Sequence, residues 1–329
     1  MAEAQILGPR SKLFGRDLPS PVFVASGTGG HGAELSGFID LRTIGGIVVK
    51  SLATFAHEGN PSPRLAPLPH GMANSVGLPG PGISRWRKEY LPELDRLGVA
   101  PVVSIWGRSL ADFVGAAEQL EVVASSLMGI EINVSCPNTE RGGQMFAHSA
   151  SDTAEVVRAV RDCVSLPIAV KISPNTDRTG EVTGAALDAG ATAIVAANTY
   201  LGQVLRPYSS RGALGRTDGG GISGPGIFPL SLRIVADLCR EFPEAEIVGC
   251  GGISSGEDAL AYLSVGACAV QVGTANFVDP RASSGVAREL AVICGTLGVR
   301  DVRELRGRLE ENDLRRARKV SRNGVPTGD

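Results

Sequence analysis

Eight short apolar runs, alternating with longer segments, constrain the fold of this chain more than any other feature. They lie at 21–27, 45–51, 101–107, 129–135, 167–173, 191–199, 246–252 and 269–275. Segments between them have the apolar spacing of helices, as at 110–127, 153–164 and 257–267. Apolar strands that alternate with helices are typical of a parallel sheet buried on both faces. Eight such units favour a closed (β/α)8 TIM barrel over a doubly wound open sheet.

Chain length and composition agree with a single barrel domain over residues 1–329. Apolar residues make up 43% of the chain, which is enough for a large core. Two connections, 52–100 and 200–227, are too long for simple loops and follow the second and sixth strands, so we predict that they cover the substrate. We predict that 11–20 forms an N-terminal hairpin closing the other end. A charged helix and tail are predicted from about residue 302.

Charge and cysteine usage restrict the partners and the compartment. The net charge is −2 and the pI is about 6.1, which predicts no binding to nucleic acid or to an anionic membrane. No apolar stretch approaches the roughly 18 residues of a membrane span, and the N-terminus has no apolar signal-peptide core. The six cysteines contain no CxxC pair, so we predict no disulfide framework, no metal site and a cytoplasmic location.

Polar residues at the carboxyl ends of barrel strands are functional candidates, because active sites form at that end of a barrel. Here two lysines, a thiol, several amides and glycines follow the strands. They are Ser26, Gly27, Lys50, Ser51, Asn133, Cys136, Lys171, Asn198, Thr199, Gly251, Gly252, Gly273 and Thr274.

The glycine pairs after the last two strands indicate a phosphate site. Gly251-Gly252 and Gly273-Thr274 expose backbone N–H groups where barrels commonly bind phosphate. Either pair alone would be explained by a tight turn. The two together favour a phosphorylated ligand.

Two lysines at one barrel mouth favour a flavin. A cation near the pyrimidine edge of a flavin stabilises the charge that forms when the ring accepts a hydride. Lys171 suits this position, and Lys50 suits contact with both cofactor and substrate. A single lysine would more simply extend its head group to solvent.

Asparagines on four segments and one thiol suggest the substrate chemistry. Asn74, Asn133, Asn138 and Asn198 supply donors and acceptors for a small planar ligand with C=O and N–H groups, although each alone fits a turn or cap. Cys136 stands just past the fourth strand. As a thiolate it is a candidate general base, whereas the cysteines on helical segments fit an inert buried role.

These motifs together resemble the flavin-dependent dihydroorotate dehydrogenases. The matching segments are INVSCPNT, VKISPN, AANT, DGGGISGPGIF, VGCGGISSGEDAL and VQVGTANF, in family order from about Leu13 to Phe277. The resemblance implies a barrel that binds FMN and oxidises dihydroorotate to orotate in pyrimidine biosynthesis. Cysteine at position 136 is similar to the soluble class, in which it is the catalytic base.

The resemblance also implies individual contacts. The implied FMN contacts are Ser26, Lys50, Ser51, Asn133, Lys171, Ala197, Gly224, Gly251, Gly252, Gly273 and Thr274. The implied orotate contacts are Lys50, Asn74, Ser75, Val76, Gly77, Leu78, Asn133, Asn138, Asn198 and Thr199.

Some features depart from a single type within the family. The segment EGNPSPR (58–64) resembles the type that pairs with an iron–sulfur electron-transfer subunit and reduces NAD. That type has an FMN-contacting asparagine after the third strand, where this chain has Ile105. The pattern there is closer to the fumarate-reducing type, and Trp106 has no counterpart. The electron acceptor (fumarate, a quinone, or NAD through a partner) and assembly as a homodimer stay open.

Two other functions are compatible with the pattern. One is a related flavin barrel oxidoreductase acting on another dihydropyrimidine-like substrate, although here SCP is followed by Asn138 and no further cysteine occurs before Cys163. The other is a barrel that binds a phosphorylated ligand without redox chemistry. Flavin absorbance of the purified protein distinguishes this last alternative.

Overall fold

The computed structural model describes residues 8–135, 146–206, 211–215 and 219–306. Within these ranges the chain forms fourteen strands. In chain order they are β1 (Ser11–Leu13), β2 (Arg16–Leu18), β3 (Val22–Val24), β4 (Gly46–Leu52), β5 (Leu65–Leu68), β6 (Gly71–Asn74), β7 (Val102–Ile105), β8 (Gly129–Asn133), β9 (Ile168–Lys171), β10 (Ala193–Ala196), β11 (Tyr200–Gly202), β12 (Gly220–Ser223), β13 (Glu246–Cys250) and β14 (Ala269–Val272).

Eight of these strands close into a parallel barrel. Its order is β3-β4-β7-β8-β9-β10-β13-β14, and β14 pairs with β3 to complete the ring. Every predicted strand overlaps one of the eight, so the predicted (β/α)8 fold is confirmed. Most strands are shorter than the predicted runs, because the residues at their ends turn into loops.

Nine helices are present in the described residues, and most of them pack around the barrel. They are α1 (Ile83–Glu89), α2 (Leu91–Arg96), α3 (Leu110–Glu121), α4 (Ala150–Arg161), α5 (Thr179–Asp188), α6 (Phe228–Glu241), α7 (Gly256–Ser264), α8 (Ala275–Val278) and α9 (Ala282–Leu297). Ser109 and Asp112 form a capping box that starts α3. On α3, Phe113 and Leu120 lie seven residues apart. Both are fully buried in the core between the barrel and the helices.

The predicted N-terminal hairpin is confirmed. Strands β1 and β2 pair in antiparallel, and Leu13 and Leu18 are buried against the interior of the barrel. The Phe14 amide donates to the Glu246 carboxylate at 2.9 Å, at the amino end of β13. The hairpin therefore closes the end of the barrel opposite the strand carboxyl ends.

The two long connections join in one antiparallel sheet, of order β11-β12-β6-β5. Strand β11 starts four residues after β10 ends, which places the sheet at the carboxyl ends of the barrel strands. The sequence predicted covers here but not strands. These segments are three or four residues long and contain Gly or Pro, which weakens any strand pattern.

The chain after α9 differs from the predicted charged helix where it is described. Residues Val302–Leu305 form a 3-10 turn that begins at an Asp301 capping box, and Val302 and Leu305 are buried. The remainder of the predicted helix and tail, 307–329, lies outside the described residues. In the described part of the chain, no helix is both long and apolar enough to cross a membrane.

Candidate active site

A buried polar network crosses the inside of the barrel below its mouth. Lys171, at the end of β9, donates from Nζ to Gln271 Oε1 at 3.1 Å. Gln271 Nε2 in turn donates to Glu131 Oε2 at 2.7 Å. The three side chains are at most 6% exposed. Lys171 was predicted, whereas Gln271 and Glu131 were missed, although a polar residue inside each apolar run was the available signal.

Electrostatics maintain the positive charge of Lys171. Burial by itself lowers the pKa of Lys171, but the neighbouring Cys250 sulfur and Glu131 carboxylate outweigh burial, and the pKa lies above its ordinary value. Burial raises the pKa of the Cys250 thiol, which ends β13. The structure therefore presents a fixed cation at the base of the mouth, where a charge developing on a bound ring would be stabilised.

Predicted side chains from four separate strand ends meet in one hydrogen-bonded chain. Ser51 Oγ lies 3.4 Å from Ser26 Oγ, and Asn133 Nδ2 donates to Ser51 Oγ at 3.4 Å. Asn198 Nδ2 donates to Asn133 Oδ1 at 3.4 Å. Ser51 Oγ also lies 2.9 Å from Ser104 Oγ, a residue that the prediction missed.

The third barrel strand, β7, carries Ile105, which stands where the NAD-reducing type has an asparagine. Side chains alternate along a strand, so Ser104 faces the interior and Ile105 faces outward. Ile105 is fully buried in the core beneath the helices, and it does not face the barrel mouth. Ser104 therefore takes the inward position on β7.

The predicted phosphate turns follow β13 and β14, at the carboxyl ends of two neighbouring barrel strands. Gly252 adopts a φ of 74°, and a Cβ there would lie 2.7 Å from the Phe228 backbone nitrogen. A Cβ on Gly273 would meet nothing closer than the Ala25 Cβ at 3.7 Å, which is ordinary van der Waals contact. Thr274 Oγ1 donates to Ser223 Oγ at 2.8 Å.

The remaining predicted cofactor residues border the same mouth. Gly224 has a φ of 99° and lies close to Gly71. A Cβ on Gly224 would be only 2.5 Å from the Cα of Gly71. The Ala197 amide donates to the Cys250 carbonyl at 2.8 Å. The Lys50 ammonium lies 3.3 Å from the position that a Cβ on Gly27 would occupy. Backbone N–H groups at the two glycine turns suit a phosphate, and the ammonium groups of Lys50 and Lys171 suit the pyrimidine ring, so the donor set fits FMN.

The predicted substrate segment, residues 74–78, is held in a fixed path. Asn74 Nδ2 donates to the Gly221 carbonyl at 3.1 Å, which ties the segment to the cover sheet. Gly77 and Leu78 both have positive φ, of 75° and 55°. In the loop between β10 and β11, the Thr199 amide donates to Asn198 Oδ1 at 2.9 Å. Ser75 and Val76, the other two members of the segment, take part in its backbone pairing.

A cavity of about 660 Å³ lies beside this segment. Its lining includes Lys50, His31, His57, Pro79 and Arg85. The four residues besides Lys50 were not predicted as site residues, since a single sequence carries no signal that would bring these segments together. Lys50 therefore borders both the predicted cofactor site and this cavity.

Cys136 and Asn138 lie outside the described residues, so their predicted roles stay predictions. The last described residue before them is Ser135, whose amide donates to Asn133 Oδ1 at 3.2 Å. Other cysteines fit an inert role, because burial raises the pKa of Cys239 to about 11 and that of Cys294 to about 12.

A (β/α)8 barrel with a buried lysine and glycine turns after its last two strands is compatible with the class of flavin-dependent barrel oxidoreductases. A profile of the family described as dihydroorotate dehydrogenase matches residues 10–293. The chain belongs to the dihydroorotate dehydrogenase family, whose members are FMN-dependent oxidoreductases acting on a CH–CH bond. The predicted family, enzyme class and cofactor are thereby confirmed.

Individual relatives cover almost the whole chain. The dihydroorotate dehydrogenase B (NAD(+)) catalytic subunit of Geotalea uraniireducens is 38% identical over 91% of this chain and 97% of its own length. The proteins of that description from Alkaliphilus oremlandii and Bacteroides thetaiotaomicron are 39% and 37% identical. They cover 90% and 89% of this chain, and 97% and 96% of their own lengths.

Proposed function

We propose that this chain oxidises dihydroorotate to orotate with FMN, in the biosynthesis of pyrimidines. The observation that carries the proposal is the buried Lys171 cation, linked through Gln271 to Glu131 beneath a mouth lined by amides. FMN, when bound, supplies the acceptor for a hydride. Lys171 stabilises the negative charge that the hydride brings, and the glycine turns at 251–252 and 273–274 hold the phosphate.

The substrate is a planar ring with alternating C=O and N–H groups and one carboxylate. Asn133 and Asn198, already in mutual contact, present amide groups from two strand ends. Asn74 and the backbone of 75–78 approach from the cover side. We propose that these amides bind the ring, together with Asn138, and that Lys50 binds the carboxylate.

Removal of the second hydrogen requires a base. We propose that Cys136, as a thiolate, takes the proton from the carbon next to the one that loses the hydride. In this proposal Cys136 receives the proton, and Lys171 stabilises the negative charge that FMN would accept.

For the electron acceptor, the relatives favour a partner protein. Three of them, from three genera, are described as NAD(+) catalytic subunits. We propose that this chain likewise passes its electrons to an iron–sulfur electron-transfer subunit that reduces NAD. We place the reaction in the cytoplasm, since the five cysteines in the described residues are free thiols, which a reducing compartment preserves.

Anaerobic mixing of the purified protein with dihydroorotate tests the proposal. The flavin absorbance band should bleach as orotate forms in equal amount. A yellow protein that is not reduced by dihydroorotate would indicate a different substrate. A colourless protein that cannot be reconstituted with FMN would overturn the proposal and favour a barrel without redox chemistry.

A further inference from the structure

An apolar cluster packs behind the proposed substrate segment. Trp106 is 4% exposed and packs with Ala53, Phe55 and Leu78. Its ring lies edge-on to Phe55, with centroids 5.6 Å apart, and tilted to His57 at 5.5 Å. Leu78 is the last residue of the segment 74–78, so the cluster reaches the proposed substrate site through this side chain.

Arg108, which lies in the loop after β7 together with Trp106, contacts the same cluster. Its guanidinium lies 5.3 Å from the centre of the Phe55 ring and 5.8 Å from that of Trp106. It also lies 3.4 Å from His57 Nδ1. A guanidinium can only donate, so Nδ1 of His57 accepts in this contact. The loop that carries Trp106 is thereby joined to the loop after β4, which carries His57.

Backbone and side-chain hydrogen bonds then link residues 57–60 of this loop to the substrate segment and its continuation. His57 and Gly80 exchange two backbone hydrogen bonds, of 2.9 and 2.8 Å. Closer to the segment itself, the Asn60 amide donates to the Val76 carbonyl at 3.1 Å, and Asn60 Nδ2 donates to the Ser75 carbonyl at 3.2 Å. Residues 57–60 therefore hold the middle of the segment and Gly80, two residues beyond its last residue.

Leu78 occupies a conformation that depends on its surroundings. Its φ of 55° lies in the left-handed region, which costs a residue with a branched side chain free energy unless packing stabilises it. Beyond it, Pro79 and Gly80 line the 660 Å³ cavity. Leu78 itself packs against the buried cluster of Trp106 and Ala53.

We propose that Trp106 is a positioning residue, which sets the affinity for the substrate by holding Leu78 and the backbone of 75–78 in the binding conformation. This inference rests on the proposed function and adds a determinant that lies outside the flavin site. Trp106 packs with Leu78 and is not among the proposed substrate contacts. Its loss should therefore weaken substrate binding and leave the rate of flavin reduction at saturation unchanged.

The test compares Trp106→Ala and Trp106→Phe with Trp86→Phe, the same conservative change at the other tryptophan of the chain. Trp86 is fully buried on α1 and bonds to the His31 carbonyl, away from Leu78. Orotate affinity is measured on FMN-loaded protein by flavin difference spectra. KM and the saturating rate are measured with dihydroorotate. Amide hydrogen exchange of 74–80 gives a readout that needs no activity.

We expect Trp106→Ala to raise the Kd of orotate and the KM about tenfold or more, the scale of one or two lost aromatic contacts. Its FMN content and saturating rate should stay within about twofold of wild type, and exchange should accelerate only in 74–80. Trp106→Phe should recover most of the affinity, and Trp86→Phe should not change it.

Unchanged orotate affinity in Trp106→Ala would overturn the proposal. A saturating rate that falls as much as the affinity would also overturn it, because Trp106 would then act on the chemistry. Equal loss in Trp86→Phe would show a general effect of core packing. If wild-type protein itself fails to bind orotate, the proposed function is wrong, and faster exchange of 74–80 in Trp106→Ala would still report the packing role.

Discussion

Lys171 Nζ lies 3.1 Å from Gln271 Oε1, although their strands β9 and β14 are not neighbours in the barrel. The contact crosses the barrel interior, and Gln271 passes it on to Glu131 at 2.7 Å. The cation therefore has a neutral amide between itself and the carboxylate. This arrangement keeps the charge of Lys171 without a direct ion pair that would neutralise it.

Replacement of Lys171 by Met should cost both stability and rate. The Glu131 carboxylate would stay buried without its cation, and the free energy of unfolding should fall by about 3–5 kcal/mol. Flavin reduction by dihydroorotate should fall by a factor on the order of 10² to 10³, as for loss of one stabilising group. Chemical denaturation and stopped-flow spectroscopy measure the two effects.

The double variant Lys171→Met/Glu131→Gln is the control for the Lys171 prediction. It removes the uncompensated carboxylate, so it should recover most of the stability and none of the rate. A Lys171→Met protein that reduces its flavin as fast as wild type would contradict the assigned role.

Two glycines of the proposed phosphate site should respond differently to substitution. A Cβ on Gly273 meets only ordinary van der Waals contacts, so Gly273→Leu without FMN should keep most of its thermal stability while FMN affinity falls about tenfold or more. Gly252→Ala forces a Cβ against Phe228 at a φ of 74°, which should cost about 1–3 kcal/mol of folding stability. The flavin-to-protein ratio and thermal denaturation separate these effects. Full FMN content in Gly273→Leu would rule out a phosphate at that turn.

Cys136→Ala should leave the fold, the FMN content and orotate binding largely intact, because other side chains hold both ligands. Flavin reduction should fall by a factor on the order of 10² to 10⁴, the usual contribution of a positioned general base. Cys136→Ser should keep some activity at higher pH, since a hydroxyl is harder to deprotonate than a thiol. Anaerobic stopped-flow reduction across pH tests both variants, and wild-type speed in the alanine variant would make Cys136 dispensable.

Thiol alkylation should be selective and should depend on pH. Burial raises the pKa of Cys239 to about 11 and of Cys294 to about 12. Their thiolate fractions at pH 8 are therefore roughly 10⁻³ and 10⁻⁴, and each rises about tenfold per pH unit up to the pKa. A thiol with an ordinary pKa of about 8.5 reacts much faster. Iodoacetamide labelling with peptide mapping at pH 7 to 10 should modify Cys136 first. Equal labelling of Cys239 in the folded protein would contradict this.

The purified single chain should reduce NAD weakly or not at all. The G-x-G-x-x-G run at 27–32 follows β3 but leads into a short 3-10 helix rather than the α-helix of a dinucleotide fold, and the described residues contain no cluster of metal-binding side chains. Addition of an iron–sulfur flavoprotein subunit should restore NAD reduction, measured by NADH absorbance. Robust NAD-dependent turnover by the single chain would refute the need for a partner.

The barrel could be predicted from sequence because its strands are buried on both faces and stand out as apolar runs. The same rule placed Ser26, Ser51, Asn133 and Asn198 at one mouth, and the structure joins them by hydrogen bonds. The orientation of Ile105 was not predicted, since a register error of one residue reverses which face a side chain occupies.

Side-chain contacts across the barrel interior and in the long connections that cover its mouth could not be predicted from the sequence. Lys171 meets Gln271 only because the ring closes, at a separation of 100 positions. The packing of Trp106 on Leu78 likewise depends on how the connection 52–100 turns back over the mouth. A single sequence carries periodicity within elements, and it has no comparable signal for contacts between distant loops.

The cover sheet has a consequence for synthesis on the ribosome. The ribosome synthesises strand β6 long before its neighbour β12. Asn74 precedes its hydrogen-bond partner Gly221 by 147 positions. At ordinary elongation rates this delay is on the order of ten seconds. During that time β6 presents an open edge, which is a site for wrong pairing with other chains. The other side of the β5–β6 ribbon already carries Pro67, which cannot donate a backbone hydrogen bond. A nascent chain therefore has one vulnerable edge rather than two until translation passes β12.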